Sequence, residues 1–320
     1  MDSGNDTGAV LVTGAGGPAG VAVLRAVAAS GRTVVAADAD PAAVGLRLAD
    51  HAGVVPSGDD EGFVPALADL ARRTGATALV ATVAEELPEL VRRADLLTAA
   101  GLAHWLPDPA SVDRCSDKWT FFETATAAGV PVAATGLGSA EGIPGPWIVK
   151  PRQGRGSRHV MAVDDPTDLV TALRLVPDPI VQTRAPGREF TVDALVGRDG
   201  VMAGWASRWR LETKAGISTR GETFDDPDLG ALVGAVLAAV DLRGPANVQG
   251  FVGPDGAVTL IEVNPRFSGG LPLSLAAGAD LVGEYLRGVA GLPLRPDRLR
   301  ARPGVRMFRY FEEIFEGTGP

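Results

Sequence analysis

The sequence predicts an α/β unit followed by an α+β unit. Three observations carry that reading. Up to about residue 112, apolar strand-like runs alternate with helical patterns, as in a parallel, doubly wound sheet. From Pro146 onward strand patterns dominate, interrupted by a helix. The composition, 46% hydrophobic and 22% charged over 320 residues, is that of a globular chain long enough for two domains.

The elements follow in order. AVLVTGAGGPAG is an apolar strand entering a glycine-rich turn, and VAVLRAVAASG a helix that stops at Gly31. TVVAADAD reads as a second strand, FVPALADLARRTG as an amphipathic helix and ALVATV as a further strand. Ser116 or Asp117 is placed to cap a helix running through Thr120, Phe122 and Ala125 to Gly129. GLGSAEGIPGP, residues 136–146, reads as a linker. The strand patterns PWIVKP, HVMAV, PIVQTR, REFTVDALV, GVMAGWASRWR, NVQGFV and AVTLIEVN follow. Among them lies a helix capped by Asp226, with Pro227 in its first turn and Leu229, Leu232, Val233, Val236, Leu237 and Val240 as its apolar stripe.

Composition excludes several functions. A formal net charge of −9 disfavours a dedicated binder of nucleic acid or of anionic membranes. The single cysteine, Cys115, rules out an internal disulfide framework and a cysteine zinc site, and His51, His104 and His159 have no metal-binding spacing. The acidic N-terminus lacks a signal-like basic region, and no apolar run reaches the ~20 residues of a membrane span, so the expected location is the cytoplasm.

Two glycine loops invite a nucleotide. Gly14-Ala-Gly16-Gly17-Pro-Ala-Gly20 resembles a dinucleotide fingerprint, but alanine stands where the third glycine belongs. Asp38 is placed either to hold a ribose or to serve its own turn, so NAD(P) binding stays open as an alternative. The second loop, in WIVKPRQGRGS, puts Lys150 at the end of a strand just before Gly154, Gly156 and Ser157. Such a hairpin can close over phosphates with backbone N–H donors, and Lys150 supplies a point charge at its root. Only three of the thirty cationic residues are lysines. Lys118 stands in a helix's first turn, where the dipole disfavours a cation, which points to a nearby anion. Lys214 lies in a run with Arg208, Arg210 and Arg220 that suits a phosphate or carboxylate pocket.

The segment NVQGFVGPDGAVTLIEVNPRFSGG is a hairpin around Gly-Pro-Asp-Gly. Glu262 and Asn264 share one strand face. If Val252 pairs with Ala257, Gln249 is diagonal to Glu262 on that face. Oxygen donors with few carboxylates suit Mg²⁺, leaving positions for water and phosphate. Arg266, held by Pro265 and followed by Phe-Ser-Gly-Gly, is suited to a carboxylate or acyl phosphate.

Together these motifs resemble the ATP-grasp superfamily, and among it the ATP-binding unit of carbamoyl phosphate synthase large chains. The resemblance runs over essentially the whole chain, VRMFRYFEEIFEG included. It implies an ATP-grasp fold with an N-terminal Rossmann-like pre-ATP-grasp domain over residues 1–112, a first ATP-grasp subdomain with the lid over 113–183, and a C-terminal subdomain with the metal site over 184–320. It implies ATP contacts at Lys118, Lys150, Gly154, Gly156 and Ser157, adenine at the backbone of Gln182, Thr183 and Ala185, and ribose at Glu189. It implies Mg²⁺, with Mn²⁺ able to substitute, at Gln249, Glu262 and Asn264. Arg266 then faces the substrate, and Lys214 or Arg210 the γ-phosphate. Thr183 departs from the usual glutamate of the hinge, and His159 from a small residue after the lid.

The implied activity is ATP-dependent carboxylate–amine ligation through an acyl phosphate. Its partners are a small-molecule carboxylate and an amine that is an amino acid or small peptide-like substrate, with ADP and phosphate released, no nucleic acid or membrane, and room for a homodimer. The alternatives are bicarbonate activation through carboxyphosphate, an NAD(P)-dependent oxidoreductase, and a nucleotide sensor without catalysis. Substrate choice is expected in the loops around Gly14–Gly20, Glu85–Glu86 and Ser268–Gly270.

Overall fold

The computed structural model describes residues 8–154, 156 and 158–317. Its first layer is a four-stranded parallel sheet of β1 (Ala9–Thr13), β2 (Val34–Asp38), β3 (His51–Val54) and β4 (Ala76–Val80), in the order β3-β2-β1-β4. Helix α1 (Pro18–Ala29) follows β1, α2 (Gly45–Leu48) precedes β3, and α3 (Phe63–Thr74) precedes β4. Strands β1, β2 and β4 are mostly apolar and buried, Thr77 of β4 being the exposed exception, as a two-sided parallel sheet requires. Strand β3 was not evident in the sequence. It is an edge strand, HAGV, with three exposed residues, so no apolar pattern marks it.

Short helices α4 (Leu87–Arg92) and α5 (Ala94–Ala99) lead to α6 (Pro109–Ser116) and α7 (Lys118–Ala127). Asp117 is the cap of α7, accepting from Trp119 N and Thr120 N.

A second, antiparallel sheet has the order β5-β8-β6-β7, from β5 (Thr135–Leu137), β6 (Trp147–Pro151), β7 (Met161–Val163) and β8 (Pro179–Thr183). Strand β5 occupies the start of the stretch expected to be a linker, where it pairs with β8. Its glycine, Gly136, is tolerated because the neighbouring strand supplies the ladder. Helix α8 (Pro166–Leu175), capped by Asp165, covers this sheet and was also not foreseen.

The third sheet has six antiparallel strands in the order β13-β12-β9-β10-β11-β14. They are β9 (Arg188–Val196), β10 (Met202–Lys214), β11 (Ile217–Phe224), β12 (Gly244–Val252), β13 (Val258–Asn264) and β14 (Arg306–Phe308). Helix α9 (Pro227–Ala239) begins as expected, with Asp226 Oδ1 accepting from Leu229 N at 3.0 Å, and buries Leu229, Val233, Val236 and Leu237 against the sheet. Two further helices, α10 (Leu271–Ala276) and α11 (Leu281–Val289), follow β13.

One core joins the first and third layers. Val10, Val12 and Val23 pack in the same cluster as Trp105, Leu195, Phe267, Tyr285 and Leu286. The Trp105 and Tyr285 rings stack at 5.7 Å, and Phe267 meets Tyr285 edge-on at 5.5 Å. Phe267 thus anchors the loop that follows β13, while α1 is held beside it. Among the described residues no helix is long and apolar enough to cross a membrane.

Candidate active site

A cavity of about 670 Å³ lies where the three sheets meet. Its walls are the β1–α1 loop, Thr82–Glu85, the end of β6, the β8–β9 connection and one face of the six-stranded sheet.

The second sheet supplies a buried cation. Lys150, 6% exposed on β6, donates from Nζ to Gln182 Oε1 at 2.9 Å. Gln182 in turn donates from Nε2 to Thr135 Oγ1 at 3.0 Å. Antiparallel pairing of β6 with β8 brings these side chains together. Burial pushes the Lys150 ammonium down to about 8, against the attraction of Glu262 and with the help of Lys118.

Lys118 is the first residue of α7, against the dipole as the sequence indicates. Its Nζ donates to the lid carbonyl of Gly154 at 3.1 Å. Asp117 binds Arg152 Nε at 2.6 Å, pinning the start of α7 to the base of the lid. Burial also lowers the Lys118 ammonium, against Glu262, Asp117 and Glu85. Gly154 and Gly156 line the cavity, and their φ values of +122° and +64° require glycine. Ser157 lies outside the described residues. His159 is exposed, with φ of +56°, a conformation histidine adopts more readily than most residues.

Thr183 N donates to Ala134 O and Arg184 N to Pro146 O, so those amides serve the fold. Among the described residues the Ala185 N–H has no such partner, and Ala185 lines the cavity. Of these amides, that of Ala185 is the one the fold leaves over among the described residues.

The six-stranded sheet supplies the acid side. Gln249 pairs directly opposite Glu262, because the ladder shifts register between Gln249 and Gly250. The simple hairpin register, with Val252 against Ala257 and a diagonal Gln249, is therefore corrected: Val252 pairs with Val258, and the bulge moves Gln249 onto Glu262. Asn264 Nδ2 donates to Glu262 Oε1 at 2.9 Å. Burial raises the Glu262 carboxyl, but Lys150, Asn264, Lys118 and Arg266 outweigh it and hold it below its ordinary value. Arg266 Nη2 donates to Asn264 Oδ1 at 3.2 Å.

Arg210 bridges two expected ligands. Its Nη1 donates to Glu189 Oε1 at 2.6 Å and Gln249 Oε1 at 2.9 Å, and its Nη2 to Gly216 O at 2.8 Å. Among the described residues its buried Nε has no partner. Burial raises the Glu189 carboxyl, and Arg210 offsets this only in part. Lys214 is exposed at the end of β10, and the cavity wall passes through Thr213, Ala215 and Gly216 without it. Of these two cations, Arg210 lines the cavity and Lys214 does not. Register shifts between Arg210 and Thr213 break the alternation, so that Thr213 and not Lys214 lines the cavity.

The donors fit a magnesium ion held mainly by phosphate and water. Glu262 is one ionised carboxylate, and Gln249 and Asn264 each offer an amide oxygen with a second lone pair beyond the arginine bond it now accepts. Among the described residues no group of three His, Cys, Asp or Glu forms an all-protein metal cage.

The chain resembles solved structures over nearly its whole length. A biotin carboxylase–β-γ-ATP complex from Campylobacter jejuni matches with a TM-score of 0.70 and 18% identity, covering 92% of this chain and 73% of that one. An L-amino acid ligase from Bacillus licheniformis matches at 0.71 and 16%, covering 92% and 77%. An N5-carboxyaminoimidazole synthetase from Staphylococcus aureus complexed with ADP matches at 0.71 and 17%, covering 90% and 78%. Residues 176–312 match the family described as ATP-grasp in the biosynthetic pathway with Ter operon. The chain has the ATP-grasp fold. No curated protein matches the sequence.

Within this ATP-grasp frame the β1–α1 glycine loop has a structural explanation. Asp38 accepts from Gly16 N with Oδ2 at 2.7 Å and from Asp40 N with Oδ1 at 2.9 Å, so it ties the glycine loop to its own turn. A Cβ on Gly20 would lie 2.1 Å from Gly14 O, so close packing of α1 on the loop demands glycine. The sequence reading placed Ser268 in a substrate loop, missed Asn247 of the cavity wall and Asp193 behind it, and treated Arg208 only as part of a cation run. Arg208 stands two residues from Arg210 and so shares its strand face, a signal the alternation already contained.

Proposed function

We propose that the protein is an ATP-dependent carboxylate–amine ligase. What carries this reading is the convergence in one cavity of Lys118 and Lys150, the Glu262–Asn264–Gln249 oxygen set, and Arg266 beside it. Residues 1–112, 113–183 and 184–320 are its three units.

In this reading adenine lies against Ala185 and ribose at Glu189. Lys118, Lys150 and the lid amides of Gly154 and Gly156 hold the phosphates, with Arg210 toward the γ-phosphate. Glu262, Asn264 and Gln249 would hold Mg²⁺, which when bound neutralises charge on the β- and γ-phosphate oxygens. Arg266 orients a substrate carboxylate. A carboxylate oxygen attacks the γ-phosphorus as the bond to ADP breaks, and ADP leaves with the electron pair. An amine then attacks the acyl carbon, phosphate departs, and the amine proton is lost to base. The lid must exclude water, which would otherwise hydrolyse the acyl phosphate.

The test is ADP and phosphate release over a matrix of carboxylates and amines with Mg²⁺, followed by product mass. The expected result is release that depends on a particular pair, with a product equal to their sum less water. Release that stays flat across the matrix sinks the reading. The likeness to biotin carboxylase favours a second reading, carboxyphosphate formation. ADP release with bicarbonate and no other carboxylate would select it. Protection from thermal unfolding by NAD(P)H and not by ATP would restore the oxidoreductase.

A further inference from the structure

Beyond the metal-facing row, the same sheet face buries a second polar network. Asp193 on β9 and Arg208 on β10 are each 2% exposed. Arg208 donates to Asp193 from Nε at 3.0 Å and from Nη2 at 3.2 Å. Its Nη2 also donates to Ser268 Oγ at 2.7 Å. Asp193 further accepts from Ser274 Oγ at 2.6 Å and from Asn247 Nδ2 at 2.9 Å. A buried ion pair has a large desolvation cost, so its retention calls for a reason.

The two partners are not equally satisfied. Asp193 has four donors on its two oxygens. Arg208 keeps a third nitrogen, Nη1, with no hydrogen-bond partner among the described residues, and the residue lines the cavity. Nη1 lies against Gly270, where a Cβ would stand 2.0 Å from it. Gly269 packs beneath Pro18, so the N-terminal end of α1, whose Gly17 cap has no side-chain bond, opens on the same corner. Guanidinium and helix end both favour an anion there.

The partners of Arg208 differ from those of Arg266. Arg266 reaches toward the metal row through Asn264. Arg208 is held instead by Asp193 and Ser268, with Nη1 against Gly270 beside the start of α1. The two guanidiniums are thus held by different partners, Arg266 by Asn264 of the metal row and Arg208 by Asp193.

We propose that Arg208 binds a carboxylate carried by the amine substrate, so that the acceptor is an amino acid or another amino-carboxylate and not ammonia or a simple amine. This rests on the ligase reading above. Arg208 is the specificity-determining contact, and Asp193 and Ser268 are positioning residues that aim Nη1.

The experiment measures ADP release by the whole chain with MgATP and matched acceptors: an α-amino acid, its carboxamide and its decarboxylated amine. The wild-type protein is expected to use the amino acid with kcat/KM at least ~100-fold above the other two, the order of a lost charge-assisted bond that leaves a buried group unpaired. Arg208→Met should collapse that ratio toward one through the KM for the amino acid, and Arg208→Lys should restore part of it. Equal use of the three acceptors by the wild-type protein overturns the proposal without any variant, as does an Arg208→Met protein that slows all three alike. ADP release with none of the three kinds of acceptor overturns the ligase reading as well.

Discussion

Lys150 offers a sharp test of the site. Its ammonium sits near 8 in the free protein, against an ordinary value of 10.5, because burial penalises the charge more than Glu262 repays. The difference is worth about 3 kcal/mol. Nucleotide phosphates favour the charged form, so binding should return the group toward its ordinary range and take up a proton. The uptake from this residue is then about half a proton at pH 8 and about three quarters at pH 8.5. Calorimetric titration of MgADP in buffers of different ionisation enthalpy reads this directly. The increment should vanish in Lys150→Met. No rise in uptake from pH 7 to 8.5, or a rise that survives in the variant, refutes the placement of Lys150 against phosphate. The same shift acts on folding. The unfolded chain holds this proton between about pH 8 and 10.5 when the native protein does not, so stability from Lys150 rises with pH across that window. Below pH 8 the burial penalty is present in full.

The other predictions are simpler. Lys150→Arg keeps the charge but puts a planar fork between Gln182 and the cavity, and should cut kcat/KM for ATP at least ~100-fold with little change in melting temperature. Glu262→Gln removes the one ionised oxygen donor of the metal row, and Mg²⁺-dependent ADP release should fall by at least ~100-fold. Lys214→Ala should leave ATP turnover within about twofold of wild type, since the side chain is outside the cavity wall; a larger loss restores it as a phosphate ligand. Trp105→Ala should cost about 3–5 kcal/mol in urea unfolding, because it opens the core that joins α11 to the first sheet.

The elements legible from sequence were those with strong local pattern. Strands β1, β2 and β4 are mostly apolar runs, and α9 has both its cap and its stripe. The strands missed, β3, β5, β11 and β14, are short or polar and stand at or near sheet edges. Their backbone is ordered by a neighbour's hydrogen bonds, and little in their own side chains announces it.

The site divides in the same way. Local sequence determined that Glu262 and Asn264 share a face, that Lys150 stands at the root of a glycine lid, and that Lys118 begins a helix. Each of these depends on a period of two or on a cap within a few residues. Only the tertiary structure decided which cation faces the cavity, that a bulge moves Gln249 onto Glu262, and that Asp38 ties the glycine loop to its own turn. It also decided that Arg208 is clamped by Asp193, fifteen residues away in the chain, with a nitrogen left for the cavity. Register, strand order and the pairing of buried charges are set by contacts between distant segments, and no local pattern encodes them.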